Sequence, residues 1–509
     1  MAGADRGSGG AQGIAAPAPS RMGPDYPTTL RPDQCLQRDP RTPPQSACPS
    51  VAESRIHVLA RSSGPPIFAP LVLPMIRAAP SPGAERTLCV LWAAWLIVLP
   101  LGHVTGLRNT VAVVTIGATL ALSALAPLRR LPARNALLAF TLWATLSVLW
   151  SADPATTWAR LRSDLYIPLL GYAAAFVYCR STARHRQLTT AMVIGLFALA
   201  ALSMVAFLPP GLLEGGIAQE HFAVIDRPLP PWYPGVGDAS MYATLCLGPL
   251  LAWLSLRSGW RAASTIVTGI ALLVILWVSE NRNSLVVVPL TLIAYFLLRG
   301  IPLRHAAPRA RRVALAIAAL CLAGAALTME EVSRARLELV GQVPPAWGHS
   351  ALLLFARDTR PLMWQEYVRL GRSHSVAGVG YGRTLPSEAY RTRDNEQLQR
   401  LDPAAHSHAH NGFINVWLEL GFVGLGLLCW VLLALVRAAA RMARADPALA
   451  PLAAGLYALF LATLLRELSD DFLVYAMATT FWCFAGMLFG RMSALYSAKA
   501  HAPLVAAGV

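Results

Sequence analysis

The chain has 509 residues, a net charge of +16, a hydrophobic share of 55% and a charged share of 14%. A soluble domain carries about a quarter charged residues, so composition excludes an ordinary soluble fold and points to a polytopic membrane protein. The positive charge does not indicate nucleic acid, because the basic residues fall in short clusters between apolar runs, the positive-inside pattern of membrane topology.

Residues 1–84 are rich in Pro, Gly, Ala, Ser and Arg, lack sustained periodicity, and are expected to form a disordered N-terminal tail. They hold no ordered succession of charged region, apolar core and cleavage site, so no secretory signal is read there. Met75 stands just before the first apolar run and would make an ordinary start, in which case the tail is non-native. Of the eight cysteines, Cys35 and Cys48 lie in the tail and the other six within or beside apolar runs. No CxxC pair occurs, and neither disulfides nor thiolate metal sites are expected.

On a ruler of about 20 apolar residues per crossing, the rest of the chain divides into about twelve spans. They start near Thr87, Asn109, Asn135, Asp164, Leu188, Ala239, Ala262, Ser284, Val313, Gly412, Leu449 and Phe472. The predicted fold is therefore all-α, with transmembrane helices 1–9 in residues 85–327, a long loop in 328–411, helices 10–12 in 412–491 and a tail in 492–509. Arginines cluster in alternate connections: Arg129, Arg130 and Arg134; Arg180, Arg184 and Arg186; Arg257 and Arg261; Arg304, Arg309, Arg311 and Arg312; Arg437, Arg441 and Arg444. These mark the cytoplasmic side and place both termini there. The opposite side receives a Pro-rich loop near 208–237 and the long loop, which at roughly 80 residues exceeds ordinary connections and is expected to be folded and partly helical.

No P-loop, strand-to-helix GxGxxG, GxSxG elbow or DxD motif occurs, which removes support for an ATP-driven transporter, a serine hydrolase of that type and a metal-dependent glycosyltransferase. Four polar stretches remain. In "SENRNS", Arg282 lies between Asn281 and Asn283 and is either a snorkelling interface anchor or a bidentate phosphate ligand. In "RDTRPLMWQEY", Arg360 and Trp364 are one helical turn apart, either as a solvated arginine with a packed tryptophan or as part of a site. The nearby "GVGYG" reads as a tight turn. In "HSHAHNGF", His406, His408 and His410 alternate as zinc ligands on one face of a strand would, but no carboxylates are interleaved and a helix starting near Asn411 breaks that geometry. One imidazole beside a reacting hydroxyl suffices for a general base, and Asn411 can cap the helix or orient its neighbour. In "RELSDD", Asp470 and Asp471 read as an N-terminal cap favoured by the helix dipole, with acceptor-sugar binding as the other possibility.

Taken together, "HSHAHNGFINVWLELGFVGLGLL", "SENRNS" and "RPLMWQEY…GVGYG" resemble, in order, the His-Asn helix, the Ser-Arg-Gly element and the Arg-x-x-x-Trp element of the O-antigen ligase and O-antigen polymerase superfamily. The resemblance covers about residues 87–490. It implies a glycan donor linked to undecaprenyl diphosphate, with Arg282 and Arg360 on its pyrophosphate, His410 acting on the acceptor, and Asn411, Trp364 and Asn281 in support. It further implies a lipid A-core acceptor, an inner-membrane enzyme with a periplasmic site, no cofactor, no metal, and contacts with membrane lipids. Asn281 and Asn283 replace the family's Ser and Gly beside the arginine, and no role passes to His406 or His408. The same donor would also serve a polymerase or a protein O-oligosaccharyltransferase. A flippase or exporter is the alternative of another class, but it would favour charges along the spans, which residues 87–327 nearly lack.

Overall fold

The structure, a computed structural model, describes residues 81–102, 104–205, 233–256, 261–279, 281–298, 322–401 (without 325, 328, 332, 335–336, 339–341 and 357) and 406–506. All lie in the unit Met75–Val509. The tail, the alternative start, the span expected near Val313 and most of the Pro-rich loop fall outside the described residues.

The described part is all-helical, with no strand among the described residues. In chain order the helices are α1 (Pro82–Val98), α2 (Thr105–Leu122), α3 (Arg134–Leu146), α4 (Pro154–Arg160), α5 (Ile167–Tyr178), α6 (Thr182–Val205), α7 (Val236–Leu256), α8 (Arg261–Ser279), α9 (Arg282–Leu298), α10 (Ser350–Ala356), α11 (Arg360–Gly371), α12 (Leu385–Ala389), α13 (Glu396–Leu401), α14 (Gly412–Ala445), α15 (Ala450–Glu467) and α16 (Tyr475–Ala506). A π-helical turn, Leu161–Tyr166, leads into α5. Local sequence sets several starts. Ser81 accepts from the Ala84 N–H ahead of Pro82, and Asp153 accepts from Ala155 and Thr156 ahead of Pro154, both pairing a polar cap with proline at the first helical position.

Four helical stretches are long and apolar enough to cross a membrane: Thr105–Leu122, Thr182–Val205, Gly412–Ala445 and Pro447–Glu467. Shorter apolar helices include Arg134–Leu149 and Asn283–Leu298. Lipid offers helices no hydrophobic drive to associate, so close backbone packing through small residues takes its place. Accordingly α16 meets α5 through Gly486 and Gly490, where an added Cβ would lie 2.5 Å from the Tyr172 carbonyl oxygen and 2.3 Å from that of Phe176. A buried bond from Trp92 Nε1 to Thr119 Oγ1, 2.9 Å, joins α1 to α2. Outward positions such as Val113, Leu138, Leu142 and Leu273 stay apolar and exposed, as a lipid-facing surface requires.

The described part of the long loop is folded and helical. Its small core (Met363, Tyr367, Leu398 and Ala409) packs on Trp417 and Leu418 of α14. The glycine-rich turn has a structural use. Helix α14 breaks at Gly421 (φ 67°, ψ −172°), and the loop segment from Ser375 to Gly382 enters the break. Val379 N–H donates to the Leu418 carbonyl (3.1 Å), Gly380 N–H to that of Glu419 (2.9 Å), and Phe422 N–H to that of Ser375 (2.8 Å). The approach is so close that a Cβ on Gly421 would lie 2.0 Å from the Val376 oxygen, and one on Gly378 2.2 Å from the Glu419 oxygen.

Candidate functional site

The heads of α14 and α16 and the end of α15 meet at one end of the bundle. Asn411 caps α14, its Oδ1 accepting from Phe413 and Ile414 at 3.1 and 3.0 Å, while its amide donates to the Leu468 carbonyl at 3.0 Å. That bond ties the start of α14 to the end of α15. The preceding residue, His410, is left in the left-handed region (φ 48°), a conformation costing a non-glycine residue about 1–3 kcal/mol and typical of functional positions. Trp364, on α11, donates from Nε1 to the Ala409 carbonyl at 2.9 Å, so the Arg-x-x-x-Trp helix is fastened directly to the histidine turn.

Asp470 lies between the histidines. Its Oδ1 is 3.0 Å from His410 Nδ1 and 3.3 Å from His408 Nε2, and the two rings are 3.9 Å apart. Arg383, which follows the glycine-rich turn, contacts His408 Nε2 and approaches Asp470 Oδ1 at 3.8 Å and Asp471 Oδ2 at 3.5 Å. His408 Nε2 therefore faces both the Arg383 guanidinium and the Asp470 carboxylate, while its Nδ1 lies 2.6 Å from Ser407 Oγ. Burial lowers the His408 pKa against a smaller pull from Asp470, with the Arg383 charge adding to the lowering, and the ring is neutral. Burial also works to raise the Asp470 carboxyl, but hydrogen bonding to His408 and His410 outweighs it and holds the group below the ordinary carboxylate range. With Asp470 ionised, His410 donates to it from Nδ1.

Asp471 accepts from the Asn415 amide at 2.8 Å. Neither aspartate caps α16, which starts at Tyr475, where Asp164 from the opposite wall accepts the Tyr475 N–H at 3.1 Å. The cap expected from sequence is thus replaced by a histidine partner and an anchor for Asn415. Beneath lies a cavity of about 110 Å³, lined by Glu419, Glu467, Asp471 and Asp164 among apolar side chains of α14 to α16.

Arg360 opens α11, its N–H donating to Asp358 Oδ1 at 3.0 Å and its side chain 30% exposed. Arg282 opens α9; its side chain is outside the described residues. Beside it, Asn281 Oδ1 accepts from Arg466 at 2.6 Å and from the Ser284 N–H at 3.3 Å. Arg466 is fully buried, donates also to Ser284 and Ser240 at 3.0 and 3.2 Å, and stacks 4.2 Å over Phe472. It therefore pins the start of α9 to α7 and α15, close enough to feel the charges of Asp470 and Arg360. His406 stands apart, its carbonyl accepting from Thr392 at 2.9 Å. The donor atoms of His408, His410 and Asp470 lie within 4.8 Å of one another, a spacing that can hold a metal ion, but the guanidinium on His408 occupies one of those donors and opposes a dication.

Residues 267–429 match the family model described as O-antigen ligase. That match supports the resemblance to the O-antigen ligase/polymerase superfamily. No curated protein matches the chain. The matched stretch contains Arg282, Arg360, Trp364, His410 and Asn411 and ends before Asp470. Members of the matched family transfer glycans, and among the described residues the histidine turn brings two imidazoles and a carboxylate together. Sequence reading passed over Arg383 and took Asp470 for a helix cap or a sugar ligand. Arg383 has no spacing signal at all, and Asp470 is visible only as one acid of a pair between apolar runs.

Proposed function

We propose that the protein is a metal-independent, inverting O-antigen ligase. It moves a glycan from undecaprenyl diphosphate to a hydroxyl of the lipid A core, on the periplasmic face of a bacterial inner membrane crossed about twelve times. His410 Nε2 takes the acceptor proton as the hydroxyl oxygen attacks the anomeric carbon. The bond from that carbon to the diphosphate oxygen breaks, and its electron pair leaves on the diphosphate. Asp470 steadies the imidazolium that forms, while Arg282 and Arg360 take the leaving group's charge from fixed positions, as an anion hole does. The observation that carries the reading is the 3.0 Å bond between His410 Nδ1 and Asp470 Oδ1 at the head of α14. The guanidinium on His408 supports doing without a metal. The test is transfer by purified protein, with donor binding measured in parallel. His410→Ala should bind the lipid-linked donor almost normally and lose about a hundred-fold to ten-thousand-fold in rate, whereas His406→Ala should be mild. Near-normal turnover in His410→Ala would end the assignment.

A further inference from the structure

The end of the bundle opposite the histidine turn carries a second feature with a ligand's shape. Between the start of α1, the end of α2 and the α5–α6 turn runs a groove of about 990 Å³. Helix α1 has 17 residues, which at 1.5 Å per residue separates its two ends by about 26 Å, so the groove and the histidine turn are distinct.

Its lining combines basic and apolar side chains. Arg86, Arg180 and Arg184 line it, and Glu85 is the single carboxylate among the described lining residues. Glu85 pairs with Arg184, whose guanidinium also stands 5.2 Å over the Tyr178 ring. Arg180 is held toward α16 by a 3.1 Å bond from Nη1 to Ser493 Oγ, a neutral partner. Burial, with the adjacent Arg130 charge, lowers the Arg180 pKa, so positive charge is crowded here and an anion would relieve it. Val90 is 66% and Leu122 40% exposed along the groove, whose lining also includes the buried Val177. Water is a poor partner for those apolar side chains and an acyl chain a good one.

From this geometry we infer that the groove binds the phosphate headgroup of an anionic phospholipid, with the proximal acyl chains along Val90, Leu122 and Val177. The arginine-rich connections mark this as the cytoplasmic face, where anionic lipids concentrate and basic pockets between helices hold their headgroups. A free phosphate would use the arginines and leave the apolar side chains unexplained; a zwitterionic lipid would use the apolar side chains and leave the excess charge unrelieved.

The test titrates a fluorescent phosphatidylglycerol into the full-length protein in neutral detergent, with unlabelled phosphatidylglycerol, phosphatidylcholine and inorganic phosphate as competitors. Phosphatidylglycerol should compete, phosphatidylcholine should not, and binding should weaken with salt. The Arg86→Gln/Arg180→Gln double variant, which leaves the Glu85–Arg184 pair intact, should bind about 30-fold more weakly, from about fivefold per arginine at a membrane surface. Val90→Trp, at an exposed position, should weaken lipid binding by crowding the groove while its thermal unfolding matches the parent's. Equal competition by phosphatidylcholine, full displacement by inorganic phosphate, or parental affinity in both variants would overturn the assignment.

Discussion

Asp470→Asn isolates the charge of the histidine partner while keeping its shape. The amide oxygen can still accept from His410 Nδ1, so ground-state placement of the ring should survive. What disappears is the attraction between carboxylate and imidazolium once the acceptor proton has moved. The bonded atoms are 3.0 Å apart, which puts the charge centres about 4 Å apart, and at an effective dielectric of about 20 that attraction is ~4 kcal/mol. The Asp470 side chain is 19% exposed, so some is lost to solvent screening, and a fall in kcat of about a hundred-fold to a thousand-fold is expected. The KM for the lipid-linked donor should change little, because Asp470 faces the histidines and not the expected diphosphate ligands. The assay is steady-state transfer with purified donor and acceptor, alongside donor binding. Asp471→Asn serves as the contrast: it disturbs Asn415 and Arg383 but not His410, and should lower thermal stability more than rate. If Asp470→Asn turns over within a few-fold of the parent, Asp470 is a structural tie and the proposed proton transfer lacks its partner.

Two further outcomes follow from the same geometry. Arg466→Met removes three hydrogen bonds from a charged donor, but Ser240 already donates to the Gly237 carbonyl at 2.8 Å, and the desolvation cost of the guanidinium disappears with it. The net loss should be about 1–3 kcal/mol, read as a lowered unfolding temperature, and the freed start of α9 should raise the donor KM; an unchanged Tm and KM would show that Arg466 pins nothing. Burial lowers the His408 pKa, so the unfolded chain binds a proton there that the folded chain refuses. Stability should then be level above about pH 6.5, the ordinary histidine value, and decline as pH falls below it. Asp470, shifted below its ordinary value of about 3.9, should add a separate loss only as pH drops below about 4. Thermal unfolding from pH 8 to 5 should show the first decline, flattened in His408→Gln; an equal decline in that variant would place its origin elsewhere.

Periodicity and hydropathy made the helices legible, because a lipid-spanning segment must satisfy its own backbone and present apolar side chains outward. Helices start close to each expected span that falls within the described residues. The histidine turn was legible too, since Asn411 is a strong local cap signal and the motif lies in eight consecutive residues. Asp470 was not, because its bond to His410 crosses 60 positions and nothing in "SDD" distinguishes a cap from a histidine partner. Arg383 and Arg466 escaped for a related reason. An arginine's partner is set by where three or four helices converge, and no single stretch of chain contains that information.

The glycine-rich turn shows how the distant pieces are held in register. A continuous α14 would keep the carbonyls of Leu418, Glu419 and Leu420 for its own ladder. Gly421 interrupts that ladder, and the freed groups are taken up by Val379, Gly380 and the Trp143 indole, the last at 3.0 Å from the Leu420 oxygen. Gly382 N–H adds a bond to Glu419 Oε2 at 2.9 Å, and the next residue is Arg383, which contacts His408. The break therefore does not weaken the helix so much as convert it into a docking edge, one that fixes where Arg383 stands. Ten residues ahead of the break stands the Asn411 cap of the same helix and, one step earlier, His410. A single helix thus follows directly on His410 and, through its break, seats the arginine that contacts His408. Two histidines only two residues apart thereby acquire different surroundings, His408 with Arg383 and Ser407 beside it and His410 with Asp470.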